Sequence, residues 1–282
     1  MKNKKIKLMV GTLLITMIGA TLTGCGGNSE GSSENGSSGE VTISISGSTS
    51  VGPLMEKIQP IYEEKNSNVA LEIQMTGSGA GIKDVENGTS EIGMSSRALK
   101  DDEAAKLQGT LICYDGIAAL VNPNNKVKDI TVEQLKDIYT GKITNWKELG
   151  GNDAPIVVVS REDGSGTRDG FQQAIGYKSE ELTQDATIVD GSGAVQTTVA
   201  GNENAIGYAS FEYINDTVSA LVVENVEATA ENVKNGTYKV QRPFVLVTKE
   251  DTLTEAGKAL IDFVLSEEGQ QIVADNKLVP LD

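Results

Sequence analysis

The segment SREDGSGTRDGF (residues 160–171) has the pattern of a β-strand that turns directly into an α-helix. The apolar run 156–159 before it is typical of a buried strand, and Phe171, Ala174 and Ile175 recur at the spacing of a helix's inner face. The first amide groups of a helix have no partner inside it, and the aligned peptide dipoles make that end partly positive. A small anion can therefore bind at this turn.

The same segment supplies further donors for an anion. Ser165 and Thr167 add hydroxyl groups, and the glycines let the backbone approach closely. Arg161 adds a full charge in a planar fork that suits the oxygens of a phosphate-like ion. The segment predicts an oxyanion site, although an ordinary strand-to-helix turn with a surface arginine would show a similar pattern.

Other turns of the chain repeat this chemistry. Each is weak alone, because Gly and Ser are common turn residues. They are Gly47-Ser48-Thr49-Ser50, Thr76-Gly77-Ser78-Gly79-Ala80-Gly81, Ser95-Ser96-Arg97 and Asp190-Gly191-Ser192-Gly193. All follow predicted strands and precede helices, and the carboxyl edge of a parallel sheet is where such sheets bind ligands. We therefore expect several helix N-termini to converge on one cleft.

Strand and helix patterns alternate from Val41 onward, which predicts an α/β fold with mostly parallel sheets and helices on both faces. Pro60 interrupts the first helical pattern. The turn-forming residues 122–125 are a candidate hinge between two lobes. The apolar spacing from Leu260 to Val273 predicts one long amphipathic helix near the C-terminus.

The N-terminus has the pattern of an export signal. Four lysines precede an apolar run, and Leu22-Thr23-Gly24-Cys25 resembles a bacterial lipobox. We expect a lipoprotein signal peptide over 1–24, cleavage before Cys25, a lipid on its sulfur, and a flexible Gly/Ser linker over 25–40. A simple membrane anchor is the alternative. Anchored in this way, the protein would lie outside the cytoplasm on the cell membrane.

Charge and composition exclude several functions. Removing residues 1–24 removes four lysines and no acid, which takes the net charge from −16 to −20. Such a surface would repel nucleic acid and anionic lipid. Salt screens the exposed charges over a short distance, whereas donors inside a closed cleft are screened much less, so a small anion can still bind there. The chain has no histidine, which excludes a Ser-His-Asp triad and histidine-bound zinc. Cys113 lies in an apolar run and is expected to be an inert core residue. It is the only cysteine left if Cys25 carries a lipid, so no cysteine metal cluster can form, and we expect no cofactor and no metal.

Taken together, the turns at 47–50, 76–79, 92–97 and 161–168 resemble those of the PstS family, the phosphate-binding lipoproteins of ABC-type phosphate uptake systems. The resemblance runs from about Val41 to the C-terminus, and Arg161-Glu162-Asp163-Gly164-Ser165-Gly166-Thr167 is its most specific part. It implies a two-lobed Venus-flytrap fold of the type II periplasmic binding proteins, with phosphate held between the lobes. Its partners would be the permease and ATPase subunits of the importer.

The resemblance also implies site residues and lobes. The expected phosphate contacts are Thr49, Ser50, Ser78, Ser96, Arg161, Ser165, Gly166 and Thr167. The expected first lobe comprises 41–120 plus 220–282, and the expected second lobe comprises 121–219. We expect a monomer.

One position departs from the family pattern. Better-known members carry an aspartate after the third strand, where this chain has Ser96 followed by Arg97. A carboxylate there accepts the proton of phosphate and repels sulfate, whereas a serine can accept a hydrogen bond but repels nothing. Asp115 is the first candidate for a replacement acid and a further phosphate contact, followed by Asp163 and Asp190.

Three other side chains have open roles. Arg97 is a candidate bridge between the lobes. Arg168 is either a further phosphate ligand or a partner of Asp169 or Glu162, and the pairing is favoured. Trp146, the only tryptophan, is expected in the core or on the surface that faces the permease.

Three alternatives remain. Another tetrahedral oxyanion, sulfate or molybdate, would suit the same donors. A secreted phosphoryl-transfer enzyme would need a metal or an activated nucleophile, and the acids are not clustered at EF-hand spacing. A surface adhesion protein would leave the Gly/Ser turns unexplained.

Overall fold

The strands and helices alternate along the chain as the sequence predicts. The structure is a computed structural model that describes residues 39–281; the predicted signal peptide, Cys25 and most of the linker lie outside the described residues. The strands are β1 Val41–Gly47, β2 Val69–Gln74, β3 Ile92–Ser95, β4 Gln108–Val121, β5 Asp129–Ile130, β6 Val157–Arg161, β7 Thr187–Val189, β8 Ala205–Ser210, β9 Ser219–Ala220, β10 Val222–Val223 and β11 Gln241–Thr248. The helices are α1 Gly52–Lys65, α2 Ser78–Asn87, α3 Asp101–Ala104, α4 Val132–Tyr139, α5 Gly166–Ile175, α6 Ser192–Ala200, α7 Ala230–Lys234, α8 Glu255–Leu265 and α9 Glu267–Asp275. Short 3-10 helices span Trp146–Leu149, Ser179–Glu181 and Phe211–Tyr213.

One continuous sheet runs through the molecule in the order β2-β1-β3-β11-β4-β8-β6-β7, and β9 pairs with β4 beside this path. The outer pairs β1–β2, β1–β3, β6–β7 and β6–β8 are parallel, whereas the central strands β11 and β4 run antiparallel to their neighbours. The predicted α/β architecture with parallel sheets is confirmed. The sequence did not predict the antiparallel centre.

Strand β4 belongs to two hydrophobic cores. Its first part pairs with β11, and its last five residues pair with β8. Cys113 is buried in a core with α1, α8 and α9, whereas Ile117 is buried in a second core with residues of α4, α5 and α6. The change of core occurs around Gly116, which pairs with Gln241 of β11.

Local sequence signals explain where most helices begin and end. Helix α4 begins with the predicted capping box, in which Gln134 N donates to Thr131 Oγ1 (3.0 Å) and Thr131 N donates to Gln134 Oε1 (2.9 Å). Helix α2 ends at Gly88, which adopts a left-handed conformation (φ 73°). None of the helices within 39–281 is long and apolar enough to cross a membrane.

Two helix predictions were inaccurate. Pro60 lies inside α1 without ending it, because the buried face around Ile58 and Tyr62 holds the helix in place despite the lost hydrogen bond. The single C-terminal helix is in fact two helices, α8 and α9. They are separated at Ser266, whose extended backbone (ψ 164°) ends α8 and whose hydroxyl accepts from Gly269 N (3.2 Å) to begin α9.

A buried charged cluster lies where the sheet changes core. Asp115 of β4 is fully buried and accepts from Arg242 Nη2 (2.8 Å) on β11 and from Ser210 Oγ (2.8 Å) on β8. Glu212 follows directly after β8, and its Oε2 and Arg242 Nη1 are buried without hydrogen-bond partners in the described chain. Burial, together with the negative charge of Asp115, raises the pKa of Glu212 from its ordinary 4.5 to about 9. Arg242 and Lys57 oppose this rise.

This cluster predicts how stability depends on pH. Between its ordinary pKa and about 9, the folded chain keeps a proton on Glu212 that the unfolded chain releases. Raising the pH should therefore lower the free energy of unfolding, with a slope from this group that approaches about 1.4 kcal/mol per pH unit. We expect Glu212→Gln to remove this part of the slope in urea denaturation between pH 5.5 and 9. Equal slopes for the two proteins would contradict the assignment.

Candidate functional site

The predicted turns come together at the carboxyl edges of the parallel strands. Ser50, in the turn between β1 and α1, places its Oγ 2.9 Å from Thr167 Oγ1 on α5 and 3.0 Å from Ser192 Oγ on α6. Ser50, Thr167 and Ser192 are each 1% exposed or less. Residues 117–143 positions apart in the sequence therefore form one buried cluster of hydroxyl groups.

Arg161 is the charged centre of this cluster. Its side chain is 1% exposed, and its Nη1 donates to Ser192 Oγ (3.0 Å) while Nη2 donates to Thr49 Oγ1 (3.2 Å). Nη1 also lies 3.5 Å from Thr167 Oγ1. The guanidinium thus reaches hydroxyls that come from three different turns.

Glu162 fixes the orientation of that guanidinium. Its Oε2 accepts from Arg161 Nε (2.7 Å) and its Oε1 accepts from Arg161 Nη2 (2.6 Å). Gly191 N also donates to Oε2 (3.3 Å). Burial opposes ionisation, but the hydrogen bonds and charge of Arg161 prevail and lower the pKa of Glu162. The acid therefore stays ionised and balances the arginine, which leaves Nη1 directed at the hydroxyls.

Tyr208 of β8 contacts the backbone of Arg161. Tyr208 OH accepts from Arg161 N (3.3 Å) and lies 2.9 Å from Ser160 Oγ. Its ring stacks on Phe171 of α5, with the ring centroids 4.1 Å apart. Burial raises the pKa of Tyr208 to about 12, so its hydroxyl keeps its proton. This packing joins the end of β6 to the start of α5.

The N-terminus of α5 meets a second hydroxyl pair from the first core. Ser78 Oγ lies 3.1 Å from Ser96 Oγ and accepts from Ser96 N (3.1 Å). A Cβ on Gly166 would lie only 2.6 Å from Ser78 Oγ and 2.7 Å from Ser96 Oγ, so any larger residue here would displace these two hydroxyls. Ser165 caps the helix by accepting from Arg168 N (3.2 Å).

The structure thus brings eight of the predicted site residues into one region. They are Thr49, Ser50, Ser78, Ser96, Arg161, Ser165, Gly166 and Thr167. Within residues 39–281, no group of three or more acidic or cysteine side chains is placed to hold a metal ion.

Asp115 is the predicted site residue that the structure does not bring into this cluster. Its carboxylate contacts Ser210 and Arg242, which are not among the predicted site residues. Burial raises the pKa of Asp115, while Arg242 and Ser210 oppose that rise. Both oxygens are already engaged, so its role as a phosphate contact stays a prediction. Asp163, the next candidate acid, points outward with 94% of its side chain exposed.

Ser192 is a member of the cluster that the sequence analysis did not select. It is fully buried, and its backbone N donates to Thr49 Oγ1 (3.1 Å) at the start of α6. The signal was present in the turn Asp190-Gly191-Ser192-Gly193, which was identified without choosing a residue from it. Spacing alone does not show that this turn faces Arg161.

The open roles of Arg168 and Trp146 are settled by their contacts. The predicted partners of Arg168 were wrong: its Nη1 pairs with Asp163 Oδ1 (2.7 Å) and donates to Arg161 O (3.0 Å), because Arg161 engages Glu162 and Arg97 lies beside Asp169. Trp146 is 1% exposed and donates to Asn204 O (2.9 Å), so it is a core residue.

Comparisons with known proteins agree on the fold and on its ligand class. A model described as a PBP superfamily domain matches residues 31–268. The phosphate-binding protein PstS of Bacillus subtilis (strain 168) is 35% identical over 293 residues, covering 100% of this chain and 95% of the relative. The match therefore extends across both hydrophobic cores.

Solved structures show the same similarity. A crystal structure from Clostridium perfringens, of a phosphate ABC transporter substrate-binding protein with bound phosphate, is 61% identical with a TM-score of 0.84; the match covers 86% of this chain and 100% of that chain. An ABC-type phosphate transport receptor from Vibrio cholerae is 34% identical with a TM-score of 0.71, covering 85% of this chain and 100% of that chain. The two-lobed α/β fold expected from the sequence is thereby confirmed.

Proposed function

Since the chain belongs to the PBP superfamily and, within it, to the PstS phosphate-binding proteins, we propose that the hydroxyl cluster around Arg161 is where it captures inorganic phosphate. PstS proteins are extracytoplasmic substrate-binding proteins, and this chain captures phosphate for an ABC-type importer. One observation above all supports this proposal: hydroxyls of turns from both lobes lie within hydrogen-bonding distance of one another and of a buried guanidinium.

The physical argument concerns the loss of water around the ion. Burying an anion is costly unless hydrogen bonds replace its hydration, and bonds from charged donors are the strongest replacements. Arg161 supplies the charged donor, and Ser50, Thr167 and Ser192 supply hydroxyls at short range. The first amides of α5, at Gly166 and Thr167, add further donors.

The two lobes are assigned from the two cores. The expected boundary at 120/121 lies close to the change of core at Gly116 of β4. The expected boundary at 219/220 lies well before the second change of core, because Leu221 and Val240 are both buried in the second core and the change occurs near Gln241 of β11. Ser50 and Ser78 then belong to the first lobe, and Arg161 and Thr167 to the second. A phosphate ion between these residues would hold the lobes together.

A binder rather than an enzyme is expected from the chemistry of the site. The chain has no histidine to act as a base, and the one carboxylate bonded to Arg161, that of Glu162, is held in the ion pair with it. We expect a monomer that hands phosphate to permease and ATPase subunits without changing it. Sulfate is the leading alternative ligand, because the hydroxyls around Arg161 are neutral and can donate to either ion.

We expect equilibrium dialysis with labelled phosphate to give one ion bound per chain, recovered unchanged. Arg161→Ala should cost about 2 to 5 kcal/mol of binding free energy, because it leaves a buried anion without its charged partner. Lys147→Ala, which removes a charge from an exposed ion pair with Asp153, is the control and should bind like the wild type. Wild-type affinity in Arg161→Ala, or release of a converted product, would contradict the proposal.

Ser96 provides a test of selectivity. It is 1% exposed and lies beside Ser78 and Gly166, where a carboxylate could accept the proton of phosphate. We expect Ser96→Asp to raise the preference for phosphate over sulfate by about tenfold or more, because sulfate has no proton to give. Competition of unlabelled sulfate against labelled phosphate measures this ratio. Ser96→Asn controls for side-chain size, and an equal ratio in the Asp and Asn variants would argue against Ser96 as the selectivity position.

The membrane anchor is a further part of the proposal, supported by the lipobox Leu22-Thr23-Gly24-Cys25. In a bacterial host fed labelled palmitate, we expect the full chain to carry label and to sediment with membranes. Cys25→Ser should carry no label, because the lipid requires the sulfur. An unlabelled wild-type chain would contradict the anchor and would leave the phosphate site unaffected.

A further inference from the structure

A line of contacts joins the two cores beside the phosphate site. We call it the closure seam: residues 164, 166 and 169 on one side face residues 78, 79, 96 and 97 on the other. Gly79 N donates to Gly164 O (2.9 Å), and Gly166 lies against the hydroxyls of Ser78 and Ser96. Asp169 Oδ2 lies 3.1 Å from Arg97 Nε at the far end.

The Arg97–Asp169 contact joins elements of different cores. Arg97 follows β3 in the first core, whereas Asp169 lies in α5, whose Phe171 and Ile175 are buried in the second core. Within residues 39–281, the guanidinium of Arg97 contacts Ala98 O, Glu103 and Asp169 and no hydroxyl of the cluster around Arg161. The pair is therefore separate from the phosphate contacts.

Arg97 is held in place by its own core. Its Nη1 and Nη2 donate to Glu103 Oε2 (2.7 Å) and Oε1 (2.8 Å) of α3, in a two-pronged pair. Arg97 is 10% exposed at its side chain and Glu103 is 18% exposed. The hydrogen bonds that Arg97 donates to Glu103 raise the pKa of Arg97, and the charges of Glu103 and Asp169 add to this. The guanidinium is thus charged and oriented whether or not Asp169 is near, with Nε left for a partner on the other side.

We propose that Arg97 and Asp169 form an ion pair that sets how long the closed lobes retain phosphate, without touching the ion. This inference rests on the proposed phosphate site. Asp169 reaches Arg97 only while the start of α5 lies against residues 78 and 96, which is also the geometry that encloses the ion. The pair therefore stabilises the closed lobes, and it is screened less than an exposed pair because Arg97 is largely buried.

The distinguishing experiment uses two acids of the same segment. Asp169→Asn removes the contact between lobes, and Asp163→Asn removes an acid whose ion pair, with Arg168, stays within the second lobe. Each loses one negative charge close to the phosphate site, so their difference isolates the Arg97 contact. Labelled phosphate is bound, and its release is followed after excess unlabelled phosphate is added.

We expect Asp169→Asn to release phosphate about fivefold or more faster than the wild type, with a much smaller change in the association rate, since affinity differences among variants are mostly in dissociation. Asp163→Asn should release phosphate at the wild-type rate or more slowly. Arg97→Gln combined with Asp169→Asn should release it no faster than the more affected single variant, because the two changes remove one interaction. Urea unfolding of the phosphate-free chain should be alike for Asp169→Asn and Asp163→Asn.

Two failures are separable. The closure role would be overturned, and the proposed function left intact, if the wild type binds phosphate and Asp169→Asn releases it at the wild-type rate. Additive effects of the two substitutions on the release rate of the double variant would overturn the closure role as well. A wild-type chain that binds no phosphate would overturn the proposed function, and the closure role with it.

Discussion

The site depends on how one buried positive charge is compensated. Arg161 is almost fully buried, and a buried charge must be paired. Glu162 provides that pair through two short hydrogen bonds, so the arginine and its acid are together neutral while Nη1 still faces the hydroxyls. An anion is then attracted by oriented N–H and O–H groups rather than by an excess of positive charge. This explains how a chain with a net charge of −16 can hold an anion.

The arrangement of the sheet makes this compensation possible. Parallel strands on either side of the sheet end at the turns that carry Ser50, Ser78, Arg161 and Ser192, so each turn starts a helix at the same edge. The antiparallel strands β4 and β11 lie between the two parallel groups, and β4 contributes residues to both cores. They place the two edges opposite each other, which a single parallel sheet could not do.

Many turns and helix ends were predictable from the sequence, because each depends on a few residues that are close together in the chain. The strand-to-helix turns, the capping box at Thr131 and the helix end at Gly88 follow from residues close together in the chain. The contacts that the sequence did not predict join distant residues. Ser192 faces Arg161 across 31 positions, and Asp115 is engaged by Arg242 across 127. The break at Ser266 is local, but the apolar spacing continues across it, so the pattern did not show the bend in the backbone. The sequence places several acids near Arg168. Arg168 pairs with Asp163 because Arg161 engages Glu162 and Arg97 lies beside Asp169.

The shared strand β4 couples the unfolding of the two lobes. Its 14 residues hydrogen-bond to β11 over one part and to β8 over the other. If one lobe unfolds, β4 loses its pairing strand there, and the sheet of the other lobe is weakened as well. The described residues 39–281 group as one compact unit in keeping with this. Although the proposed phosphate site lies between two lobes, calorimetry should record a single melting transition, and limited proteolysis should not liberate either lobe as a stable fragment.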